Sequence, residues 1–194
     1  AFGMVLHMHR GTPYIYEGEE LGMTNAHFTK LEQYRDWRPS TLSPARGGSQ
    51  VPVIRIHDAA LALIGRDNAR TPMQWDASKY AGFTAPDAPV EPWISVNPNH
   101  VEINAAEEFD DPDSVYTFYK KLIAMRHNSA TISTGEWHLL AADSDQVYAF
   151  TRTNGDDTIL VVVNLTDRSA ALPFGRGGAA FRRRVRSAST AQHL

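Results

Sequence analysis

Arg66-Asp67-Asn68-Ala69-Arg70-Thr71-Pro72-Met73-Gln74-Trp75 gathers two arginines, an aspartate, two side-chain amides and a tryptophan into ten residues. Pro72 forbids a continuous helix through the stretch, because proline lacks a backbone donor and its ring clashes with the preceding turn. Arginine forks pair with carboxylates or bridge hydroxyls, amides hydrogen-bond sugar hydroxyls, and indole faces stack on pyranose rings. That inventory suits a carbohydrate site. It equally suits a solvated surface turn after a helix, and the chemistry of these residues alone leaves both readings open.

Two further segments frame this one. Gly11-Thr12-Pro13-Tyr14-Ile15-Tyr16-Glu17-Gly18-Glu19-Glu20-Leu21-Gly22-Met23-Thr24-Asn25 precedes it, and Trp93-Ile94-Ser95-Val96-Asn97-Pro98-Asn99 follows. In that order the three resemble signature segments of glycoside hydrolase family 13, the α-amylase superfamily. Arg66 to Trp75 resembles the RDNARTPMQW signature of the oligo-1,6-glucosidase and α-glucosidase branch. The resemblance covers residues 1–36 and 65–173. Three ordered motifs make it specific for the family and much less so for the substrate.

Composition sets wider bounds. A chain of 194 residues can bury a core and hold one or two domains. Hydrophobic content of 42% beside 21% charged residues describes a soluble globular protein. A net charge of −3 argues against nucleic acid as a partner. The chain has no cysteine, hence no disulfide and no thiolate metal site, which suits a cytoplasmic protein. No apolar run approaches the roughly 20 residues of a membrane span. Residues 1–9 lack the basic start and cleavage site of a signal peptide. The chain opens on Ala1 inside an apolar stretch, as a piece of a longer protein would.

The pattern along the chain gives the fold class. Residues 1–9 read as the end of a buried helix. Thr12 to Tyr16 is a short β-rich run after a glycine, suited to a buried parallel strand. Asp111-Pro112 opens the clearest helix: Asp111 can cap, Pro112 suits the first helical position, and Asp113 favours the positive helix end. Val115, Phe118, Tyr119, Leu122, Ile123 and Met125 then supply one apolar face. After Asn128 the pattern becomes β, with strands at 137–140, 147–151 and 158–164. Asn154-Gly155 is a hairpin turn signal between the last two. The resemblance makes the first helix and strand the seventh helix and eighth strand of a (β/α)8 barrel. The expected architecture is α/β: residues 1–130 as the end of a TIM barrel, then residues 131–194 as an antiparallel β-sandwich domain.

Two stretches depart from the family. After Asp36 a charged helix beginning Leu-Glu-Thr-Leu-Asn-Ala is expected; the chain instead has Trp37-Arg38-Pro39-Ser40-Thr41 and a Pro/Gly/Ser-rich run. The codons TGG-AGA-CCC-TCA-ACG encode the observed five residues. Preceded by one C they become CTG-GAG-ACC-CTC-AAC, which encodes Leu-Glu-Thr-Leu-Asn. Residues 37–64 are therefore what a single-base deletion produces, with the frame restored near Ile64. Residues 174–194 carry Gly177-Gly178-Ala179-Ala180 and Arg182-Arg183-Arg184-Val185-Arg186, the mixture a GC-rich gene yields out of frame. A flexible insert and a basic, anion-binding tail are the alternative.

The resemblance also implies chemistry. Retaining glycosidases of the family use a nucleophilic Asp and an acid/base Glu about 5–5.5 Å apart, with a third Asp stabilising the transition state. These follow the fourth, fifth and seventh strands, and no motif for any of them is present here. His57-Asp58 lies downstream of the eighth-strand motif and is not the family's His-Asp pair. The chain therefore carries no catalytic residue by this reading. Arg70 is the leading substrate-binding residue, matching an arginine that reaches the glucose beside the scissile bond; the bland alternative is a salt bridge that ties the loop down. Tyr16 and Glu17 join it near the strand's carboxyl end, where barrel enzymes keep their sites. Family members usually have Gln at the position of Glu17. Glu20 is expected as a structural partner. Arg66, Asp67 and Trp75 are expected to support the loop. The position of Arg38 is a Glu in the family, lining the side of the leaving sugar. The eight histidines show no metal-ligand spacing. No cofactor and no metal are expected. The partner is a short oligosaccharide or disaccharide, with no nucleic acid and no membrane. The resemblance implies a retaining α-glucosidase with α-1,6 preference. Sucrose isomerase, trehalose-6-phosphate hydrolase and a non-catalytic sugar-binding or transporter-associated homologue are the other readings.

Overall fold

The computed structural model describes residues 2–26, 28, 30, 33–35 and 62–170. Asp36, the departing residues up to 61 (Arg38 and His57-Asp58 among them) and the tail from 171 onward lie outside the described residues, and so does most of what concerns the reading frame. Apart from the helical residues 62–64, which follow undescribed ones, the described residues form, in order, α1 (Phe2–Met8), α2 (Ala105–Glu108), α3 (Val115–His127), α4 (Ala130–Ser133), β1 (Glu136–Leu140), β2 (Val147–Asn154) and β3 (Asp157–Asn164). Short 3-10 turns at Glu19–Leu21, Arg66–Ala69 and Pro98–Val101 punctuate the long connections.

The helix expected from Asp111 starts three residues later. Ser114 is the cap, accepting from Thr117 N at 3.1 Å, while Asp111 and Pro112 form the turn ahead of it. The buried face of α3 carries Tyr119, Leu122 and Arg126; Met125, expected on that face, is 44% exposed. Arg126 sits four residues after Leu122, on the same stripe.

The three strands form one antiparallel sheet in the order β1-β2-β3. Each is close to its expected span. Asn154 pairs with Asp157, leaving Gly155 and Asp156 as the two-residue turn. Gly155 has a φ of 59°, the left-handed backbone such a turn needs at its first central residue. The expected sandwich is represented, among the described residues, by this single sheet.

A core forms where α1, α3, α4 and the sheet meet. Met8, Leu122, Ile132, Phe150, Val161 and Val163 are buried together, with Val5, Phe118 and Trp137 packed against them. The segment read as a parallel strand, residues 12–16, forms no strand among the described residues. No described strand lies beside it to complete a ladder, and parallel strands need one. Tyr14 is accordingly 82% exposed and Tyr16 57%.

Candidate functional site

The three motifs converge. Asn97 donates from Nδ2 to the carbonyl of Thr24 at 2.9 Å, and Asn99 donates to Thr24 Oγ1 at 2.9 Å. This clasp ties the third motif to the first. Asn97 also caps the 3-10 turn after it, accepting from Asn99 N. Asn25 reaches the carbonyls of Ala62 and Leu63 at 3.1 and 3.0 Å, and Asn68 reaches Ala62 O at 3.1 Å, tying the first motif to the second. Gln74, fully buried, donates to Ile103 O and receives Ala105 N on its own carbonyl at 2.9 Å.

Within the second motif Asp67 is the anchor. It is 1% exposed, accepts from Arg35 N at 2.6 Å, and is paired with the Arg70 guanidinium. Arg35 in turn donates from Nε to Trp93 O at 2.8 Å, and the Arg70 guanidinium lies over the Trp93 ring, 5.6 Å from its centroid. A guanidinium over an indole face is attracted by the ring quadrupole. Arg70 is thus fixed by a carboxylate and an aromatic face, with 35% of its side chain exposed.

A cleft of about 470 Å³ opens beside this loop, lined among others by Tyr16, Glu17, Glu19, Asn25, Arg66 and Asn68. That volume lies within the range of small-molecule pockets. Its floor is shaped by the turn after Tyr16. Gly18 has a φ of 95°, and a Cβ there would meet Met23 Sδ at 2.6 Å, so no other residue suits the position. Glu20 holds the turn by accepting Gly18 N at 2.8 Å, the structural part expected of it. Glu19 accepts the Tyr119 hydroxyl at 3.0 Å. Burial first, and the Glu19 bond and charge second, push the Tyr119 phenol up to about 12.

Of the six residues singled out in the sequence, the structure brings Tyr16, Glu17 and Arg66 to one cleft and seats Arg70 and Asp67 on the adjoining Trp93 side of the same loop. The Trp75 backbone is bonded on both sides: its N–H donates to Ala81 O at 2.8 Å and its carbonyl accepts Ala106 N at 3.0 Å. Its indole is 52% exposed rather than packed. Trp93, Arg35, Thr24 and the Asn97–Asn99 clasp were not singled out by residue type. The repeated asparagine around Pro98, a capping pattern, was the available signal. Among the described residues no group of three or more His, Asp or Glu is arranged to hold a metal ion, and no helix is long and apolar enough to cross a membrane.

Comparison with known proteins adds the following. Residues 1–135 match the family model "Alpha amylase, catalytic domain", and residues 137–187 match "Maltogenic Amylase, C-terminal domain". The oligo-1,6-glucosidase of Bacillus cereus is 42% identical over 84% of this chain and 28% of its own length. The glucan 1,6-alpha-glucosidase of Streptococcus pneumoniae is 43% identical over 89% of this chain and 31% of its own. The solved trehalulose synthase MutB from Pseudomonas mesoacidophila superposes with a TM-score of 0.71 at 41% identity, over 84% of this chain and 29% of that one. A mutant of that enzyme in complex with the substrate sucrose gives 0.73 at 42% identity, with the same coverage. The chain therefore spans between a quarter and a third of the length of the relatives it matches.

Proposed function

The chain belongs to the α-amylase catalytic-domain family, and from that premise we propose that it is the C-terminal part of a retaining α-glucosidase. The substrate class is short α-glucosides, cleaved at the terminal glucose, with α-1,6 bonds of the isomaltose type preferred. Residues 1–130 form the end of a (β/α)8 barrel, and residues 131–194 belong to an antiparallel β-sandwich domain. The setting is cytoplasmic, in keeping with a chain without cysteine.

One observation carries the reading: the three motifs meet, through the Asn97–Thr24 clasp and the Arg70–Trp93 contact, around one loop beside one cleft. Relatives at 42–43% identity named oligo-1,6-glucosidase and glucan 1,6-alpha-glucosidase support the linkage.

Retaining hydrolysis needs a carboxylate nucleophile and a carboxylic acid about 5–5.5 Å apart. Neither is assigned to this chain. Its contribution is orientation. Arg70 presents a planar fork already pointed by Asp67 and Trp93, so little rotamer freedom is lost when it grips sugar hydroxyls. Glu17 can accept sugar hydroxyls, and Tyr16 can donate to them or stack on a ring. Asp67, Arg66 and the Trp75 backbone hold the loop that carries Arg70.

The longer protein that carries this sequence should release glucose from isomaltose with the α-anomer formed first, read by proton NMR. The 194-residue chain alone should give no turnover of a chromogenic α-glucoside above a matched blank; turnover would mean the active site has been misplaced. A second reading, sucrose isomerase, is favoured by the likeness to trehalulose synthase. It predicts rearrangement of sucrose to an isomeric disaccharide with little free glucose. Turnover of neither sugar would point to a non-catalytic sugar-binding homologue.

A further inference from the structure

Arg35, Asp67, Arg70 and Trp93, from three separate stretches of chain, close into a circuit. Arg35 N–H donates to Asp67 Oδ2 at 2.6 Å, and Asp67 Oδ1 is paired with Arg70 Nη2. The Arg70 guanidinium lies over the Trp93 indole, and the Trp93 carbonyl accepts Arg35 Nε at 2.8 Å. The circuit is tied to the rest of the fold beside two of its members. Tyr34, 8% exposed and edge-on to Phe28 with centroids 5.2 Å apart, fixes the backbone that leads into Arg35. Ile94 is buried directly after Trp93, and Asn97, three residues further on, clasps the Thr24 carbonyl.

Asp67 and Trp93 act differently on the arginine between them. The carboxylate holds Nη2 at a point, and about a point the guanidinium can still turn. An indole against it restricts that turning, because the ring quadrupole attracts the cation and the planar group stacks on the face. Trp93 thus sets the direction in which the other donors of Arg70 face. The indole itself is 64% exposed, so its place comes from its backbone rather than from burial. Arg35 Nε grips that backbone at the carbonyl. The backbone of Arg35 therefore serves one support of Arg70 and its side chain the other, and the two can be cut one at a time.

We infer that Trp93 is a positioning residue for the substrate sugar, acting through Arg70, and that the Arg35 side chain holds Trp93 in place for that part. The inference rests on the reading of Arg70 as the arginine that grips sugar hydroxyls. It is distinct from a sugar platform. An indole that stacks on substrate acts with or without Arg70, whereas one that aims the fork has nothing to act through once the fork is gone.

The test is a double-mutant cycle in the longer protein that carries this chain. Its readouts are kcat/KM on isomaltose, or on sucrose if that is the sugar turned over, and the Kd for glucose by calorimetry. Trp93→Leu should lower kcat/KM and glucose affinity about two- to fivefold, the size of one exposed cation–π contact. Trp93→Phe keeps an aromatic face and should recover most of the loss. Arg35→Met leaves the backbone bond to Asp67 in place and should act in the same direction as Trp93→Leu. In an Arg70→Ala background neither change should lower the values further. A Trp93→Leu loss that persists without Arg70 overturns the inference and makes Trp93 a direct sugar contact. Wild-type kinetics in both Trp93→Leu and Arg35→Met overturn it as well, whatever the melting temperatures do, and leave Trp93 as a loop brace. So does wild-type efficiency in Arg70→Ala. Should Trp93→Leu not fold, Arg35→Met completes the same cycle. The products decide the wider reading separately, since glucose from isomaltose or an isomer from sucrose identifies the reaction while the cycle can be completed on glucose affinity alone.

Discussion

Arg70 is held from two sides, by a buried carboxylate and by an indole face, and this decides what its replacement should do. In the longer protein Arg70→Ala is expected to lower kcat/KM at least tenfold, about 1.4 kcal/mol of transition-state binding, with the melting temperature nearly kept. Arg70→Lys should recover little, because an ammonium cannot reproduce a planar fork. Asp67→Ala should instead cost stability, about 1–3 kcal/mol, since Arg35 N–H and the Arg70 fork both lose their acceptor. Arg66→Ala should also lower stability more than turnover. Kinetics and melting curves of the four variants separate these outcomes, and wild-type efficiency in Arg70→Ala would reduce Arg70 to a loop brace. The residue types of this neighbourhood were legible because arginine, amide and indole have a recognisable chemistry. The clasp was not. Asn97 and Thr24 are 73 positions apart, and only the folded connections reveal that one donates to the other. Trp75 shows the converse: the residue type suggests a ring contact, while the bonds it makes are those of its backbone N–H and carbonyl.

The start of α3 shows how a local signal can be right in kind and wrong by a turn. Asp111, Pro112 and Ser114 all suit a helix start. Ser114 prevails because its hydroxyl makes bonds on both sides, accepting Thr117 N at 3.1 Å and donating to Glu108 O at 2.8 Å. Glu108 then closes the end by accepting Tyr116 N at 3.0 Å, an acidic group at the positive end of the helix. Ser114→Ala should therefore destabilise by about 1 kcal/mol, whereas Asp111→Ala removes only the short turn bond to Asp113 N and should cost less. Equal losses in urea denaturation would restore Asp111 as the cap. The sheet was read almost to its ends, since alternation, β-branched runs and Asn154-Gly155 are local signals that agree with one another. Residues 12–16 were legible as β-rich but have no ladder here, because strand formation depends on neighbours as well as on the segment itself. Arg126 hid in plain view on the apolar stripe of α3, where a charged residue normally reads as a surface position.

At the scale of the whole molecule, the described residues divide into a closed part and an open one. Around Phe150 the helices and the sheet close on one another, while Phe2, Tyr14 and Tyr16 stay 78%, 82% and 57% exposed. Large apolar groups exposed beside an unpaired segment invite association, so the chain alone should sediment as concentration-dependent aggregates. A monomer with one sharp thermal transition would contradict this. The closed part hinges on His9, where the chain leaves α1. Its ring lies parallel to Tyr148 with centroids 5.8 Å apart, stacks on Trp137 at 5.6 Å, and its Nε2 meets Tyr148 Oη at 2.6 Å. Burial, and then the charge of Arg152, lower the His9 pKa. The folded protein thus prefers the neutral ring, whose Nε2 can accept the tyrosine proton. The unfolded chain, with a histidine pKa near ~6.5, takes up the proton first as pH falls. Stability from this group is complete above about pH 6.5 and is lost as pH drops through the lower folded value. In the longer protein, the free energy of urea unfolding followed by Trp fluorescence should decline from about pH 7 to about pH 5 in wild type. His9→Gln, which keeps an acceptor but cannot titrate, should start lower and decline less. Parallel curves for the two proteins would assign the acid sensitivity to another histidine and leave His9 as packing alone.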